Sequence, residues 1–238
     1  MREQRGEDLR DLVVVTTIVR SAMADALARD HGFELRRTLT GFKFIGEQIG
    51  LLEAAGEAGR FAFGFEESYG YLAGTHVCDK AAVVASMLIC EMARWYHAQG
   101  MDLVDAMRAL YERYGYYKNG LISVSYPGAD GAERMRAITA GLREQQPEEI
   151  AGLRVEGFVD YADGVPMPVV GGRGDSEPQM LGGADVLEFQ LEGGNKLMIR
   201  PSGTEPKIKA YLFAQADTEA AADELLAKLE AAARELLG

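Results

Sequence analysis

The first half of the chain alternates between two patterns of hydrophobic positions. Continuous apolar runs rich in β-branched or aromatic residues are typical of buried strands, and they occur at residues 12–19, 33–37 and 60–65. Apolar residues then recur at helical spacing, and the predicted helices cover residues 21–32, 40–55, 80–98 and 102–114. Strands that alternate with helices predict an α/β domain with a mixed, mainly parallel sheet flanked by helices.

Short strands dominate the second half. A Tyr-rich strand at residues 116–126 and a polar helix at 129–145 complete the first predicted domain. Pro147 and its acidic neighbours favour an exposed connection, so we predict domains at residues 1–147 and 153–238. The predicted strands beyond this connection cover residues 155–160, 186–191, 196–200 and 208–213, and a helix follows at 218–237. This order predicts a small α+β domain with an antiparallel sheet.

Charge and composition exclude several classes of partner. The net charge of −12 argues against a surface for nucleic acid or anionic membranes, which requires an excess of Lys and Arg. No apolar run reaches the roughly 18–20 residues of a membrane-spanning helix, and the charged N-terminal residues do not resemble a secretory signal. Cys78 and Cys90 lack the spacing of a zinc site or a disulfide framework. We therefore expect a cytoplasmic protein with reduced thiols and no partner among nucleic acids or membranes.

A polar octet lies between the last two predicted strands. Its sequence, Arg-Pro-Ser-Gly-Thr-Glu-Pro-Lys at residues 200–207, suits a phosphate dianion. Arg200 offers a planar fork of donors, Ser202 and Thr204 offer hydroxyls, and Gly203 permits close approach of the backbone. Lys207 adds a point charge. A simple polar hairpin loop is the alternative interpretation, because Ser, Gly, Thr and Pro are common turn residues.

A second polar segment follows the strand at residues 60–65. Residues 64–70 read Gly-Phe-Glu-Glu-Ser-Tyr-Gly. Glu66 can accept hydrogen bonds from two adjacent sugar hydroxyls, and Ser68 can both donate and accept. If the loop is extended, alternation puts Glu66 and Ser68 on one side and Glu67 on the other. The alternative is an acidic loop that is only solvated.

These two segments together resemble one known family. The octet at residues 200–207 is similar to the phosphate-binding loop of α-phosphohexomutases of the phosphoglucomutase/phosphomannomutase type, and residues 64–70 resemble their sugar-selecting loop. The resemblance implies that Glu66 and Ser68 hold the hexose hydroxyls. It also implies a phosphate site formed by Arg200, Ser202, Gly203, Thr204 and Lys207.

Two weaker matches extend the resemblance. Residues 40–43, Thr-Gly-Phe-Lys, resemble a family segment that makes Lys43 a candidate cation for the phosphate. Residues 75–81 resemble a segment usually written His-Val-Arg-Asp-Lys-Asp, which makes Lys80 a candidate for proton transfer with a substrate hydroxyl or for phosphate contact. His76 is either a sugar ligand or a loop histidine with a structural or solvated role. A lysine that accepts a proton needs a lowered pKa. Cys78 and Ala81 depart from this pattern at positions expected to help orient the lysine.

The family implies a reaction that this sequence cannot complete. Its members are isomerases, intramolecular phosphotransferases that interconvert hexose 1-phosphate and hexose 6-phosphate through glucose 1,6-bisphosphate or its equivalent. They use a phosphoserine loop and a Mg²⁺ loop, but the chain contains neither Ser-His-Asn nor Asp-x-Asp-x-Asp, so we assign no metal ligand. The resemblance therefore implies the C-terminal half of such an enzyme, the third and fourth domains. We expect it to be inactive without N-terminal domains supplied in cis or in trans.

Other interpretations stay open. The chain could be a stand-alone phosphosugar-binding or regulatory module that has lost catalysis, or its loops could be inert. The sequence does not separate glucose from mannose, nor does it give the oligomeric state. The half-enzyme interpretation also predicts an exposed polar face on the side of the missing domains.

Overall fold

The computed structural model describes residue 6, residues 8–174 and residues 176–238, which form two compact units. Unit 1 contains the described residues up to Tyr114 together with Pro166–Leu181. Unit 2 contains Gly115–Val165 and Gly182–Gly238. Each unit has its own sheet.

Unit 1 is built on a four-stranded sheet. Its strands are β1 (Val13–Thr17), β2 (Glu34–Thr38), β3 (Phe61–Phe65) and β4 (Tyr71–Leu72). They lie in the order β2-β1-β3-β4, with β1 parallel to both β2 and β3 and with β4 antiparallel to β3. The helices are α1 (Met23–His31), α2 (Phe42–Ala54), α3 (Ala82–His97) and α4 (Leu103–Tyr114). The predicted mixed, mainly parallel sheet is confirmed.

The core of unit 1 lies between this sheet and α2. Helix α2 is amphipathic, and burial of its apolar face against β1 and β3 stabilises the unit. The core side chains are Val13, Val15, Phe42, Ile45, Ile49, Leu52, Phe61 and Leu72. Helix α2 starts directly after the end of β2, so this packing also fixes the position of its first turn.

Helix α3 forms where the sequence predicts a long apolar helix, but it contributes no buried residue. Its exposed large side chains are Val83, Met87, Ile89, Met92 and Trp95. Helix α3 therefore presents several large apolar side chains to solvent, at positions spread around the helix. The polar face expected from the half-enzyme interpretation stays a prediction.

Unit 2 contains a six-stranded antiparallel sheet in the order β5-β12-β11-β10-β7-β6. Its strands are β5 (Tyr116–Ser125), β6 (Glu149–Ile150), β7 (Leu153–Asp160), β10 (Leu187–Leu191), β11 (Asn195–Pro201) and β12 (Lys207–Ala216). The short strands β8 (Val165–Met167) and β9 (Gln179–Leu181) form a separate pair. Helices α5 (Gly131–Glu144) and α6 (Glu219–Leu236) contribute Leu142, Leu229 and Ala233 to the core beneath the large sheet. The predicted antiparallel α+β architecture is confirmed.

The division between the units differs from the predicted boundary at residues 147–153. Strand β5 pairs with β12 along its whole length, from Tyr116 opposite Ala216 to Ser125 opposite Lys207. This pairing and the buried Leu142 of α5 place β5 and α5 in unit 2. Proline and charge at residues 147–149 mark an exposed connection, but this connection lies inside unit 2. Residues 166–181 return to unit 1, where Leu35 and Val170 form a β-bridge.

None of the helices in the described part of the chain is long and apolar enough to cross a membrane. Cys78 and Cys90 are both free thiols with exposed side chains.

Candidate functional site

The carboxyl ends of three parallel strands meet at one edge of the sheet in unit 1. Strands β1, β2 and β3 run in the same direction. The segments that leave this edge carry Arg20, Lys43 and Glu66 after β1, β2 and β3 respectively. Ligands of open α/β sheets bind outside the carboxyl ends of the strands. Topology therefore brings two of the sequence-predicted residues, Lys43 and Glu66, to an edge of the kind that holds ligands.

Residues 66–70 form a tight hairpin loop rather than an extended one. Strands β3 and β4 pair through Phe65 and Tyr71, and the backbone N–H of Glu66 donates to the Gly70 carbonyl at 2.9 Å. Tyr69 has a φ of 56° and a side chain that is 89% exposed. A Cβ on Gly70 would lie 2.7 Å from the Glu66 carboxylate, so glycine is needed where the loop folds over that carboxylate. The loop fixes Glu66 at its base.

Glu66 is 4% exposed and forms an ion pair with Lys80. The distance from Lys80 Nζ to Glu66 Oε1 is 2.7 Å. This hydrogen bond, with the negative charges of Glu66, Asp79 and Glu67, raises the pKa of the Lys80 ammonium above its ordinary value. A raised pKa is opposite to the lowered pKa that a lysine needs to accept a proton. Lys80 therefore carries a protonated ammonium group at neutral pH, and its hydrogen bond to Glu66 forms despite the departures at Cys78 and Ala81.

The raised pKa predicts how the Glu66–Lys80 pair affects stability. A group whose pKa is higher in the folded state contributes stability that is present below its unfolded pKa and is lost as the pH rises through its folded pKa. We expect the difference in free energy of unfolding between the wild type and Lys80→Met to be constant from pH 7 to about pH 9 and to vanish in the alkaline range above the ordinary lysine pKa of about 10.4. Urea titrations across that range measure it. A difference that grows with pH would contradict the assigned pair.

Two threonines of β1 form hydrogen bonds with the residues at the start of the loop. Thr16 Oγ1 donates to the Phe65 carbonyl at 2.9 Å, and Thr17 Oγ1 donates to Glu67 Oε2 at 3.0 Å. Glu67 is therefore bound to β1, whereas Glu66 faces Lys80. Ser68 is exposed, and its hydroxyl forms no hydrogen bond with any residue in the described ranges. Sequence reasoning missed the threonines, because their role depends on the register between β1 and β3.

Arg37 fixes the turn that follows β1. Its side chain is buried, with the residue 8% exposed, and its guanidinium bonds the Asp25 carboxylate at 2.7 Å. The same guanidinium donates to the backbone carbonyls of Thr17, Arg20 and Ser21 at 3.1, 3.4 and 3.2 Å. One buried cation thus bonds three carbonyls of the turn, of which Thr17 and Ser21 also accept from backbone N–H groups at 3.3 Å. The turn is rigidly placed at the edge of the sheet.

The remaining predicted residues of unit 1, Lys43 and His76, have exposed side chains. Lys43 is in the first turn of α2, with Nζ 4.6 Å from the centre of the Phe44 ring. His76 is exposed in the segment that leads to Lys80. A Cβ on Gly46 of α2 would lie 2.5 Å from the Cys78 carbonyl oxygen, so this segment packs directly against α2. Lys43 forms no ion pair with the described residues.

In unit 2, the predicted phosphate loop is a short turn between β11 and β12. The Ser202 N–H donates to the Lys207 carbonyl at 2.8 Å, and the Thr204 N–H donates to Ser202 Oγ at 3.4 Å. No atom lies within 4 Å of a Cβ placed on Gly203, so the tip of the loop is open. Lys207 pairs with Glu205 and lowers the pKa of that carboxyl. The Lys207 charge is therefore partly neutralised within the loop.

Arg200 lies directly opposite Lys209 in the antiparallel register, and Ser123 of β5 lies opposite Lys209 on the other side. Ile199 and Ile208 are fully buried, so the alternation of strands puts Arg200 and Lys209 together on the other face of the sheet. Directly opposed residues have Cβ atoms about 4.5–5.5 Å apart, and like charges there are destabilising. Neither cation forms an ion pair in the described part of the molecule, although the charge of Lys209, after that of Lys207, helps to lower the pKa of the Glu205 carboxyl. This arrangement is suited to an anion.

Lys209 was missed in the sequence analysis although a signal was present. Lys207 and Lys209 flank the apolar Ile208, and such alternation puts both lysines on the face that carries Arg200.

The described residues contain no cluster of three or more His, Cys, Asp or Glu side chains that could hold a metal ion.

Two family models match the chain. Residues 1–114 match the α/β/α domain III of phosphoglucomutase/phosphomannomutase, and residues 135–232 match the C-terminal domain of the same family.

Relatives and solved structures agree with these matches. A Haemophilus influenzae protein named "Probable phosphomannomutase" is 35% identical over 93% of this chain and 40% of its own length. A Staphylococcus aureus phosphoglucomutase is 34% identical over 89% of this chain and 37% of its own length. The open form of the Paramecium phosphoglucomutase pp63/parafusin has the same fold, with a TM-score of 0.63 at 18% identity over 94% of this chain and 37% of its own. The chain spans about 40% of the length of these relatives and belongs to the phosphoglucomutase/phosphomannomutase family, with the third and C-terminal domains represented.

Proposed function

We propose that this chain is the phosphosugar-recognising portion of a phosphoglucomutase or phosphomannomutase. The observation that carries the proposal is the Arg200–Lys209 pair, two adjacent cations beside the loop at residues 202–206 that pair with no carboxylate among the described residues. An anion between them would remove their mutual repulsion, and a phosphate dianion has the charge and the acceptors for both.

Within unit 2, Arg200 would bind two phosphate oxygens through its planar fork, and Lys209 would add a point charge. Ser202 and Thr204 would add hydroxyl donors from the open turn. Lys207 would contribute less, since Glu205 already engages it.

Within unit 1, Glu66 and Ser68 would bind the hydroxyls of the hexose. Glu66 is fixed at the base of the loop and Ser68 is open to solvent, so a carboxylate acceptor and a hydroxyl stand close together in sequence and structure. Lys80, kept protonated by Glu66, would donate to a hydroxyl or phosphate oxygen of the ligand rather than remove a proton. Lys43 and His76 would be peripheral contacts. These groups bind hydroxyls that glucose and mannose share.

Interconversion of hexose 1-phosphate and hexose 6-phosphate would require groups outside this sequence. Phosphoryl transfer depends on a positioned nucleophile and on cations that neutralise the transferring group. We propose that N-terminal domains, in cis or in trans, provide the phosphoserine and the Mg²⁺ site, and that glucose 1,6-bisphosphate or its equivalent is the intermediate. The cytoplasm is the proposed location.

Complementation tests the enzymatic part of this proposal. The chain would be mixed with separately produced N-terminal domains of the Staphylococcus aureus relative, and conversion of glucose 1-phosphate to glucose 6-phosphate would be followed. We expect activity in the mixture and none in either part alone. Binding of hexose phosphates without any complementation would favour a stand-alone binding or regulatory module.

Lys209 provides a test in which stability and binding change in opposite directions. Lys209→Met removes the repulsion opposite Arg200, so we expect the free energy of unfolding to rise by about 0.2–1 kcal/mol. The same change should weaken the binding of glucose 1-phosphate several-fold, because a cation beside the phosphate is lost. Urea unfolding and calorimetric titration measure the two effects. Lys228→Met on α6 removes an equal charge and should not raise stability. If the two variants show the same changes in free energy of unfolding and in affinity for glucose 1-phosphate, Arg200 and Lys209 do not form a phosphate site.

A further inference from the structure

Arg20 is a cation at the ligand edge of unit 1 that the proposed function does not use. It lies in the turn after β1, and its backbone is fixed on both sides. The Arg20 N–H donates to the Thr17 carbonyl at 3.3 Å, and the Arg20 carbonyl accepts from Arg37 at 3.4 Å. The side chain therefore leaves a rigid part of the turn.

The guanidinium of Arg20 lies against the base of the 66–70 loop. Its central carbon is 5.2 Å from the centre of the Phe65 ring, a cation–π distance. Phe65 immediately precedes Glu66, and its carbonyl is held by Thr16 at 2.9 Å. The ring thus gives the guanidinium a fixed platform beside the proposed sugar-binding residues.

The hydrogen-bonding capacity of this guanidinium is unused. Arg20 Nε is enclosed and has no acceptor, and no carboxylate of the described residues pairs with the side chain. The carboxylates of the nearby loop have other partners, since Glu66 bonds Lys80 and Glu67 bonds Thr17. The two terminal nitrogens of Arg20 bond no described residue and are not among the fully enclosed atoms that lack a partner, so they retain some access to solvent. They remain available to a ligand.

We propose that Arg20 is a phosphate-binding residue of unit 1. Its guanidinium would bind the phosphate group of a hexose phosphate whose sugar is held at the 66–70 loop. This inference rests on the proposed function for the identity of the ligand. A guanidinium held over an aromatic ring, with two terminal nitrogens that bond no described residue, is suited to two oxygens of a phosphate. Since Glu66 and Ser68 next to it suit hydroxyls, a phosphorylated sugar combines both requirements. A purely structural Arg20 would instead serve only to pack against Phe65.

Amide chemical shifts can separate these two roles within each unit. Inorganic phosphate would be titrated into the full chain labelled with ¹⁵N. In the wild type we expect saturable shifts of the amides of Ser202–Thr204 and also of Arg20, Phe65 and Glu66. In Arg20→Gln the shifts in unit 1 should be lost or require at least about tenfold more phosphate, the effect of losing a charge-assisted hydrogen bond, while the shifts of the unit 2 loop stay unchanged.

Matched variants keep the result interpretable. Arg29→Gln on α1 removes the same charge from an exposed position and should leave both titrations unchanged. Arg20→Lys keeps the charge without the planar fork, so it should give an intermediate affinity, and it replaces Arg20→Gln if that variant is poorly folded. Shifts in unit 2 but none in unit 1 of the wild type overturn the inference alone. Unit 1 shifts that saturate at the same phosphate concentration in Arg20→Gln, or in Arg20→Lys where Arg20→Gln is poorly folded, as in the wild type also overturn it alone. Absence of shifts in both units overturns the proposed function as well.

Discussion

Replacing Arg200 with alanine is expected to weaken the binding of glucose 1-phosphate by about one to two orders of magnitude. Arg200 is the residue in the loop of unit 2 that can make two parallel charge-assisted hydrogen bonds, and such bonds contribute about 1.5–3 kcal/mol. Each 1.4 kcal/mol is about tenfold in the dissociation constant. The expected loss exceeds that for Lys209→Met, because a lysine at the same distance supplies a single point charge.

Calorimetric titration measures this loss, and Arg154→Ala is the matched control. Arg154 is in the same unit, its side chain is 70% exposed, and its contacts to Glu156 and Glu192 are 3.7 and 3.9 Å long. Its removal should leave the affinity nearly unchanged. If both variants lose affinity equally, long-range charge rather than a defined site at Arg200 explains the binding.

Replacing Arg37 with alanine is expected to produce a large loss of stability, about 3 kcal/mol. The substitution leaves the Asp25 carboxylate, only 16% exposed, without its counter-charge. The carbonyls of Thr17, Arg20 and Ser21 each lose a charged donor, although Thr17 and Ser21 keep a backbone N–H donor. Breaking a buried ion pair by removing one partner costs about 3–5 kcal/mol, and the residual exposure of Asp25 puts the expected value at the low end.

Urea unfolding followed by fluorescence measures this effect within unit 1, because Trp95, the single tryptophan of the chain, lies on α3. Arg29→Ala removes an exposed arginine from α1 and should change stability by less than about 0.5 kcal/mol. A variant at Arg37 as stable as the variant at Arg29 would show that the buried guanidinium does not hold the turn.

Most of the secondary structure was predictable, because periodicity is a local property. The strand at residues 12–19 and the helix at 40–55 follow from runs of apolar residues and their spacing, and both form close to the predicted bounds. The assignment of β5 to unit 2 was not predictable in the same way. It depends on pairing with β12, which lies far along the chain, and no local feature of residues 116–125 reports that partner.

The residues proposed to bind the ligand were predicted from the sequence, but the residues that support them were not. Glu66, Ser68 and Arg200 were predicted from the chemistry of hydroxyls and phosphates together with the resemblance to the family. The ion pair between Lys80 and Glu66 and the hydrogen bonds from Arg37 to the turn after β1 depend on the fold, which brings these segments together. Lys209 could have been found from alternation alone, whereas Arg20 could not. The donors of Arg20 are unused because the neighbouring carboxylates of Glu66 and Glu67 bond Lys80 and Thr17 instead, and these contacts are known only from the structure.

The most direct test of the account is a calorimetric titration of the wild-type chain with glucose 1-phosphate, repeated in the presence of inorganic phosphate and compared with methyl α-glucoside. The account predicts saturable binding of glucose 1-phosphate, competition by inorganic phosphate, and much weaker binding of the uncharged glucoside. Equal binding of the phosphorylated and uncharged sugars, or no saturable binding of glucose 1-phosphate, would contradict it.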